Sequence, residues 1–479
     1  MATIDRINNI PWSLIKLFSG ISANTINDIS GIFTPSAPPP PPSGSPILFT
    51  DLTHNCSPNF TISTTIPYNA TLPATTKVGD LVFVFWESDM IFGTDNINPD
   101  ASWTKHFSWY GSTSDNQGIL LSKIVNSTDV SNGYVSFYAT TSLSSRDIQS
   151  WSWIGDNVDA INPVSDVGVW TQSAGTSKTL AGITPTESGK AVGFWGFDGG
   201  DGEPTTITAG WTKIDEQECD GTSAGTFGGF ASIPSTASTA TGDLVITALM
   251  SDGWGGVIAN LTQAKIYTAN LEHLYRIDAY SGSGNFIDAQ GNSDIVINGA
   301  TYVNTGTKHF SFDGINDYGA GVNNYVYNAG EGFSFGVWAR YDDISGVQLL
   351  AGTLDSNLGG FHIFSNNGGL FWRLEDGLGN FQNVSSGVNA VINKWYYFGY
   401  SCSSTGVING WIGDDTGLNQ VLTNHATSIS PTTLQIPIVY SANGYFMKGD
   451  LGDFHIYRQA IPGQAIQQNW SYYKTYYGY

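Results

Sequence analysis

Phe333-Ser334-Phe335-Gly336-Val337-Trp338-Ala339-Arg340 sets Phe333, Phe335, Val337 and Ala339 on one side of an extended chain and Ser334, Gly336, Trp338 and Arg340 on the other. A period of two is that of a β-strand with one core face, and such a strand needs a sheet around it. Its surroundings read the same way. Phe310-Ser311-Phe312-Asp313-Gly314-Ile315-Asn316-Asp317-Tyr318 precedes it, and Lys394-Trp395-Tyr396-Tyr397-Phe398 and Gly449-Asp450-Leu451-Gly452-Asp453-Phe454-His455-Ile456-Tyr457-Arg458 follow. Gly, Asn and Asp punctuate these runs, as turns between strands require. After the last run, Ile461-Pro462-Gly463-Gln464-Ala465-Ile466 could start a short helix, but Pro and Gly weaken it and a turn is expected.

In that order the four stretches look like the laminin-G-like, concanavalin A-like jelly roll, marked by F-D-G-x-N-D-Y, an F-S-x-x-x-W strand, a W-Y strand and a closing strand ending I-Y-R. The resemblance covers residues 263–479. It implies a calcium or sugar site. Asp313, Asn316 and Asp317 offer the hard oxygen ligands that calcium takes, although the same residues make β-turns through side-chain to backbone bonds. Trp338, Trp372, Trp395 and Trp411 are the candidates for stacking on a glycan, although most of them read more readily as core or cross-strand residues. Calcium is the one cofactor implied.

Residues 47–262 continue in strand-like runs such as Leu81-Val82-Phe83-Val84-Phe85-Trp86, and they are duplicated. Gly79-Asp80-Leu81-Val82-Phe83-Val84-Phe85-Trp86 is echoed by Gly189-Lys190-Ala191-Val192-Gly193-Phe194-Trp195, and Trp103-Thr104-Lys105 by Trp211-Thr212-Lys213. Two related β-halves are expected, each closed by a late strand, Ser150–Ile154 and Asp243–Leu249. The G-D-L-V and W-T-K motifs, with Asn162-Pro163-Val164-Ser165, resemble a β-rich module of phage virion and bacterial surface proteins. Asp215-Glu216-Gln217-Glu218 imitates the alternate acids of some glycan hydrolases, with Cα atoms of Glu216 and Glu218 roughly 7 Å apart. It is expected at a strand exit outside the jelly roll, and no catalytic role is assigned to it.

Residues 1–35 hold an eleven-residue repeat. Ile4, Ile15 and Ile26 recur in step, as do Ile7, Phe18 and Ile29, and Ile10, Ile21 and Ile32, with Asn9, Gly20 and Gly31 at the turn position. With Trp12 these form an apolar stripe that one short segment cannot bury alone, which reads as an anchor to identical copies or to a larger assembly. Residues 36–46, with prolines 38 to 42, form a stiff polyproline II spacer.

The chain has 479 residues, too many for one domain, and only 12% are charged, against a usual quarter. Its apolar fraction of 41% with 13% aromatics is ample for β-cores, and long helices are excluded. With 18 basic against 40 acidic residues the net charge is −22, which repels phosphate backbones and anionic lipid and argues against nucleic-acid binding. No run is long and apolar enough for a membrane-spanning helix, and no secretory signal is read in the first 33 residues. Cys56, Cys219 and Cys402 are odd in number and scattered, so no disulfide framework is expected. None of the seven histidines has the spacing of a zinc hydrolase.

The expected fold is all-β: a duplicated β-sandwich module, then a jelly roll, in an extended arrangement behind a repeated anchor. This layout resembles phage virion appendages such as tail fibres, capsid fibres and decoration proteins. The resemblance implies a non-enzymatic structural protein on the particle surface, assembled in the host cytoplasm. Its partners would be capsid or tail proteins through residues 1–35, a host-surface glycan through the jelly roll, and copies of itself, by default as a trimer. A glycan depolymerase and a bacterial surface adhesin are the alternatives.

Overall fold

The computed structural model describes residues 47–479, apart from short connecting segments, together with the paired strands Arg6–Ile7 and Ile10–Pro11. In that small ladder Ile7 stands opposite Ile10. The other proposed anchor residues (Ile4, Trp12, Ile15, Phe18, Ile21, Ile26, Ile29 and Ile32) and the proline spacer lie outside the described residues. The described chain is nearly all β, with α-helices at Ser127–Asn132 and Gly463–Tyr473.

The duplication has a direct structural counterpart. The first half forms a sheet in the order Leu48–Pro58, Asp147–Asp156, Leu81–Asp89, Asn116–Ile124, Thr104–Tyr110. The second half repeats that order with Val164–Val167, Leu244–Thr262, Gly189–Asp198, Thr226–Ser235 and Thr212–Cys219. These two sheets pack against each other through Phe83, Phe85, Trp151 and Trp153 on one side and Val192, Phe194, Phe230 and Val257 on the other. Phe85 and Phe194 meet at 4.9 Å between ring centres. Trp109 lies across this seam, where a Cβ on Gly255 would come within 2.3 Å of its indole, so a larger residue there would displace the ring.

Each sheet is also covered on its outer face. Val82, Val84 and Trp86 pack on Tyr68, Ala70, Val135 and Phe137, and Ala191, Trp195 and Phe197 on Leu180, Leu244 and Ile246. This is why Leu81 to Trp86 is one continuous apolar run: both faces are buried, and alternation has nothing to mark. The repeated Trp103 and Trp211 are buried in the corresponding outer layers of the two halves.

A disulfide joins the halves. Cys56 lies on Leu48–Pro58 at one edge of the first sheet and Cys219 ends Thr212–Cys219 at one edge of the second, with Cα atoms 5.3 Å apart. The cysteines are thus not all unpaired: a separation of 163 residues conceals that the two sheets pack face to face and bring an edge strand of each together. Cys402 is the free, buried cysteine.

Residues beyond 263 form a two-sheet sandwich. Phe333, Phe335, Val337 and Ala339 face the interior with Phe361, Ile363, Leu374, Phe398 and Tyr400. The opposite face of this strand is buried as well, contrary to a sheet with one core face, because the C-terminal helix Gly463–Tyr473 lies over it. The expected turn is thus a helix of eleven residues. Pro462 sits at its N-cap, where a missing N–H costs nothing, and Ala465, Ile466, Trp470 and Tyr473 supply its buried stripe. Gly413 on the sheet seats it, since a Cβ there would meet the Trp470 ring at 2.4 Å. The tyrosine-rich end folds back on its own domain, with Tyr477 stacked on Trp338 at 4.1 Å.

This helix also touches the duplicated region. Lys474 at its end pairs with Asp80 and Asp156, each at 3.0 Å, and Gln468 donates to Asp159 at 3.2 Å. Leu418 N–H donates to the Val78 carbonyl at 2.9 Å. The expected extended arrangement gives way, for the described residues, to two β-regions joined through a buried helix.

Burial sets an acid-sensitive balance. It pushes His106 down to about 4, His455 to about 3, and, with help from Arg373, His362 to about 3. These folded values lie below the unfolded 6.5, so the unfolded chain takes up protons first and stability is lost as pH falls below 6.5. Asp453 is opposite: burial, then the nearby Asp278, push it up to about 7 against the Tyr477 hydroxyl, the Ile277 N–H and Arg276. Its contribution therefore falls as pH rises from about 4 to 7. Three groups outweigh one, so the thermal midpoint is expected to rise with pH between about 4 and 6.5, and Asp453→Asn to steepen that rise. Melting curves across this range check both slopes.

Candidate functional site

A groove of about 800 Å³ with mixed lining lies between the first β-half and the jelly roll. Its size falls in the range of ligand clefts, and domain boundaries are where such clefts concentrate. Ser102 and Thr104 reach it from the stretch entering Thr104–Tyr110, and Lys123 from the end of Asn116–Ile124. Gln420 comes from Gly417–Ala426, Gln464 and Gln467 from the first turns of the C-terminal helix. Tyr267 and Trp411 supply aromatic surface.

The groove is close to electrically neutral. Lys123 is paired with Asp129 at 2.9 Å, leaving hydroxyls and amides as the main polar lining. Ser102, Thr104, Gln420 and Gln464 are exposed, whereas Gln467 is held by donating to the Gly79 carbonyl. Hydroxyls and amides beside aromatic edges suit an uncharged, polyhydroxylated ligand, whose hydroxyls both donate and accept and whose C–H faces cover rings.

Of the four tryptophans proposed for stacking, only Trp411 lines this groove, and it is largely buried. The other three are corrected to core residues. Trp338 is covered by Trp470 and Tyr477, Trp372 lies between the two sheets, and Trp395 is packed by Tyr477 at 4.7 Å and by the Arg340 guanidinium at 5.6 Å. Strand alternation places a residue on a face but does not say that a helix will cover that face.

The proposed calcium ligands are likewise occupied. Asp313 accepts from the backbone N–H of Ile315 at 2.7 Å and of Asn316 at 3.3 Å, which holds its carboxyl below the usual range. Asp317 turns back to accept from Asp313 N–H at 2.9 Å, and its burial raises its carboxyl. The trio builds a turn, with Asn316 contributing its backbone. No group of three His, Cys, Asp or Glu side chains suited to a metal occurs among the described residues.

Asp215-Glu216-Gln217-Glu218 lies within the Thr212–Cys219 strand, not at its exit. Asp215 accepts from the Trp151 indole at 2.9 Å across the two halves, and Glu216 binds Lys213 and the Thr205 N–H. Asp215 thus belongs to the seam, and Glu216 ties its strand to residues of its own half.

Sequence reading missed Ser102, Thr104, Gln420, Gln464 and Gln467. Ser102 and Thr104 are more than 300 residues from the three glutamines and meet them only through the docking of the two regions, so no local motif announces the group.

Residues 278–409 match the family described as Clostridium neurotoxin, N-terminal receptor binding. No curated protein matches the chain. Among solved structures, the botulinum neurotoxin serotype D binding domain is similar at 15% identity and a TM-score of 0.34, covering 43% of this chain and 52% of that one. The receptor-binding domain of the C/D mosaic serotype gives 14% and 0.33, covering 44% and 54%, and the type G receptor-binding domain 14% and 0.33 over the same shares. The chain thus spans about half the length of these structures.

Proposed function

We propose that this protein is an attachment protein of a virus particle that binds a neutral glycan on the host surface. The observation that carries the binding half is the groove whose one charged side chain, Lys123, is paired, and in which hydroxyls, amides and aromatic edges stand among aliphatic walls such as Leu81, Ile161 and Leu418. Residues 278–409 also resemble a receptor-binding family, and Glu216, one of the two acids that imitate a hydrolytic pair, is engaged by Lys213 and the Thr205 N–H. The virion half rests on the layout in sequence, an apolar repeat in residues 1–35 that docks to capsid or tail, then a stiff spacer, with three chains per appendage. The particle is assembled in the host cytoplasm, where thiols stay reduced, so in this reading the Cys56–Cys219 bond closes after release.

The same disulfide favours a second reading, a bacterial surface adhesin that folds in oxidising surroundings. Incubating purified protein with host polysaccharide tests attachment: retention without new reducing ends is expected, and new reducing ends would turn the reading to a depolymerase. Deleting residues 1–35 separates particle from cell surface. The truncated chain should keep its glycan binding and fail to load onto particles, and normal loading would remove the anchor.

A further inference from the structure

The end of the C-terminal helix places one amine between two acids. In the antiparallel register of Leu81–Asp89 and Asp147–Asp156, Ile154 faces Val82, and two residues further along Asp156 and Asp80 come side by side. Two carboxylates facing each other across strands repel, and Lys474 resolves this with its Nζ at 3.0 Å from an oxygen of each. The site is closed: the three side chains are 10%, 6% and 18% exposed. Beside it lies a cavity of about 140 Å³, bordered by Ile154, Trp470 and Tyr479.

The two acids are held differently. The second oxygen of Asp80 accepts from Lys77 N–H at 2.7 Å, which polarises its carboxyl carbon. The second oxygen of Asp156 accepts from the Thr50 hydroxyl at 2.5 Å, which fixes this more exposed carboxylate beside the amine.

We propose that Lys474 and Asp80 condense into an intramolecular amide, with Asp156 as the base. In the resting site the amine is an ammonium. One proton passes from Nζ to the Asp80 oxygen it contacts, and the nitrogen lone pair attacks Asp80 Cγ. As the C–N bond forms, Asp156 takes a second proton from nitrogen and delivers it to the departing Asp80 hydroxyl, which leaves as water. One N–H remains on the amide, Asp156 is again a carboxylate, and no other reactant is consumed. The adjacent cavity receives the water.

Two general arguments make the step feasible. Groups fixed at contact distance in a folded site react with effective molarities on the order of 10⁵ M or more, which lowers the barrier to condensation. The ammonium form predominates, since Asp80 and Asp156 hold the lysine charged despite its burial. That slows the reaction but does not prevent it, because each chain needs to react once. The product would tie residue 80 to residue 474, clamping the helix that joins the two β-regions.

Intact mass and peptide mapping of the reduced full chain test this. The expected result is a wild-type mass one water lighter than the sequence requires and a branched peptide linking Asp80 to Lys474. Lys474→Arg and Asp156→Asn should both recover the full mass, read on folded protein judged by circular dichroism. A wild type of full mass overturns the proposal, as does a water loss mapped to a succinimide at an Asp-Gly bond. A branch at Asp156, or one that persists in Asp156→Asn, overturns the assignment of roles.

Discussion

Lys474→Met is expected to lower stability by about 3–5 kcal/mol, the scale for removing one partner from a buried charge cluster. The variant keeps the length of the side chain but leaves Asp80 and Asp156 opposed in a site largely closed to water. In the unreacted site the cost comes from the carboxylates left behind, and where the amide has formed the variant loses that link as well. Because Lys474 ends the helix that covers Trp338, the loss should appear in the packing of Trp338 and Trp470 as well as in the denaturation midpoint. Adding Asp80→Asn to Lys474→Met should restore part of the stability by removing one stranded charge. Urea titration followed by tryptophan fluorescence measures both. A midpoint unchanged in Lys474→Met would show that the helix end is not anchored there.

The second large effect concerns the seam between the duplicated halves. Closing a loop of 163 residues removes chain entropy from the unfolded state worth about 5 kcal/mol in the simplest treatment, and measured disulfides commonly deliver about 2–4. Cys56→Ser with Cys219→Ser should therefore lower the stability of residues 47–262 by several kcal/mol while leaving the jelly-roll sandwich intact. Thiol titration checks the pairing directly. Cys402 is buried, and its thiol is pushed up to about 12, so folded oxidised protein should show almost no reactive thiol. One thiol should appear on unfolding and three on unfolding with reductant.

How far the fold could be read from residues depended on whether a feature was local. Alternation at Phe333 to Arg340 and the echo of Leu81–Trp86 in Ala191–Trp195 are local patterns, and both led to the right elements. The disulfide and the helix that covers Trp338 were not legible, because each depends on what a distant segment does. Cys56 and Cys219 meet only when the two halves pack face to face. Pro462 and Gly463 weaken a helix interior, yet at its first turn they are harmless, and the decisive contribution is the Trp470 ring against Gly413. The site followed the same division. Trp411 was found because aromatic residues stand out in a sequence, whereas Gln420, Gln464 and Gln467 look like ordinary surface amides until two regions bring them to one groove.

Glycan binding by that groove is the central claim, and Thr104→Trp tests it most directly. Thr104 is exposed at the groove wall, so an indole there fills the cleft without disturbing either core. Titration calorimetry of wild type and Thr104→Trp with the neutral host-surface polysaccharide should give at least about a tenfold loss of affinity in the variant, equivalent to about 1.4 kcal/mol, with the melting midpoint unchanged. Equal affinities for the two proteins, at equal stability, would place the ligand elsewhere and contradict the account.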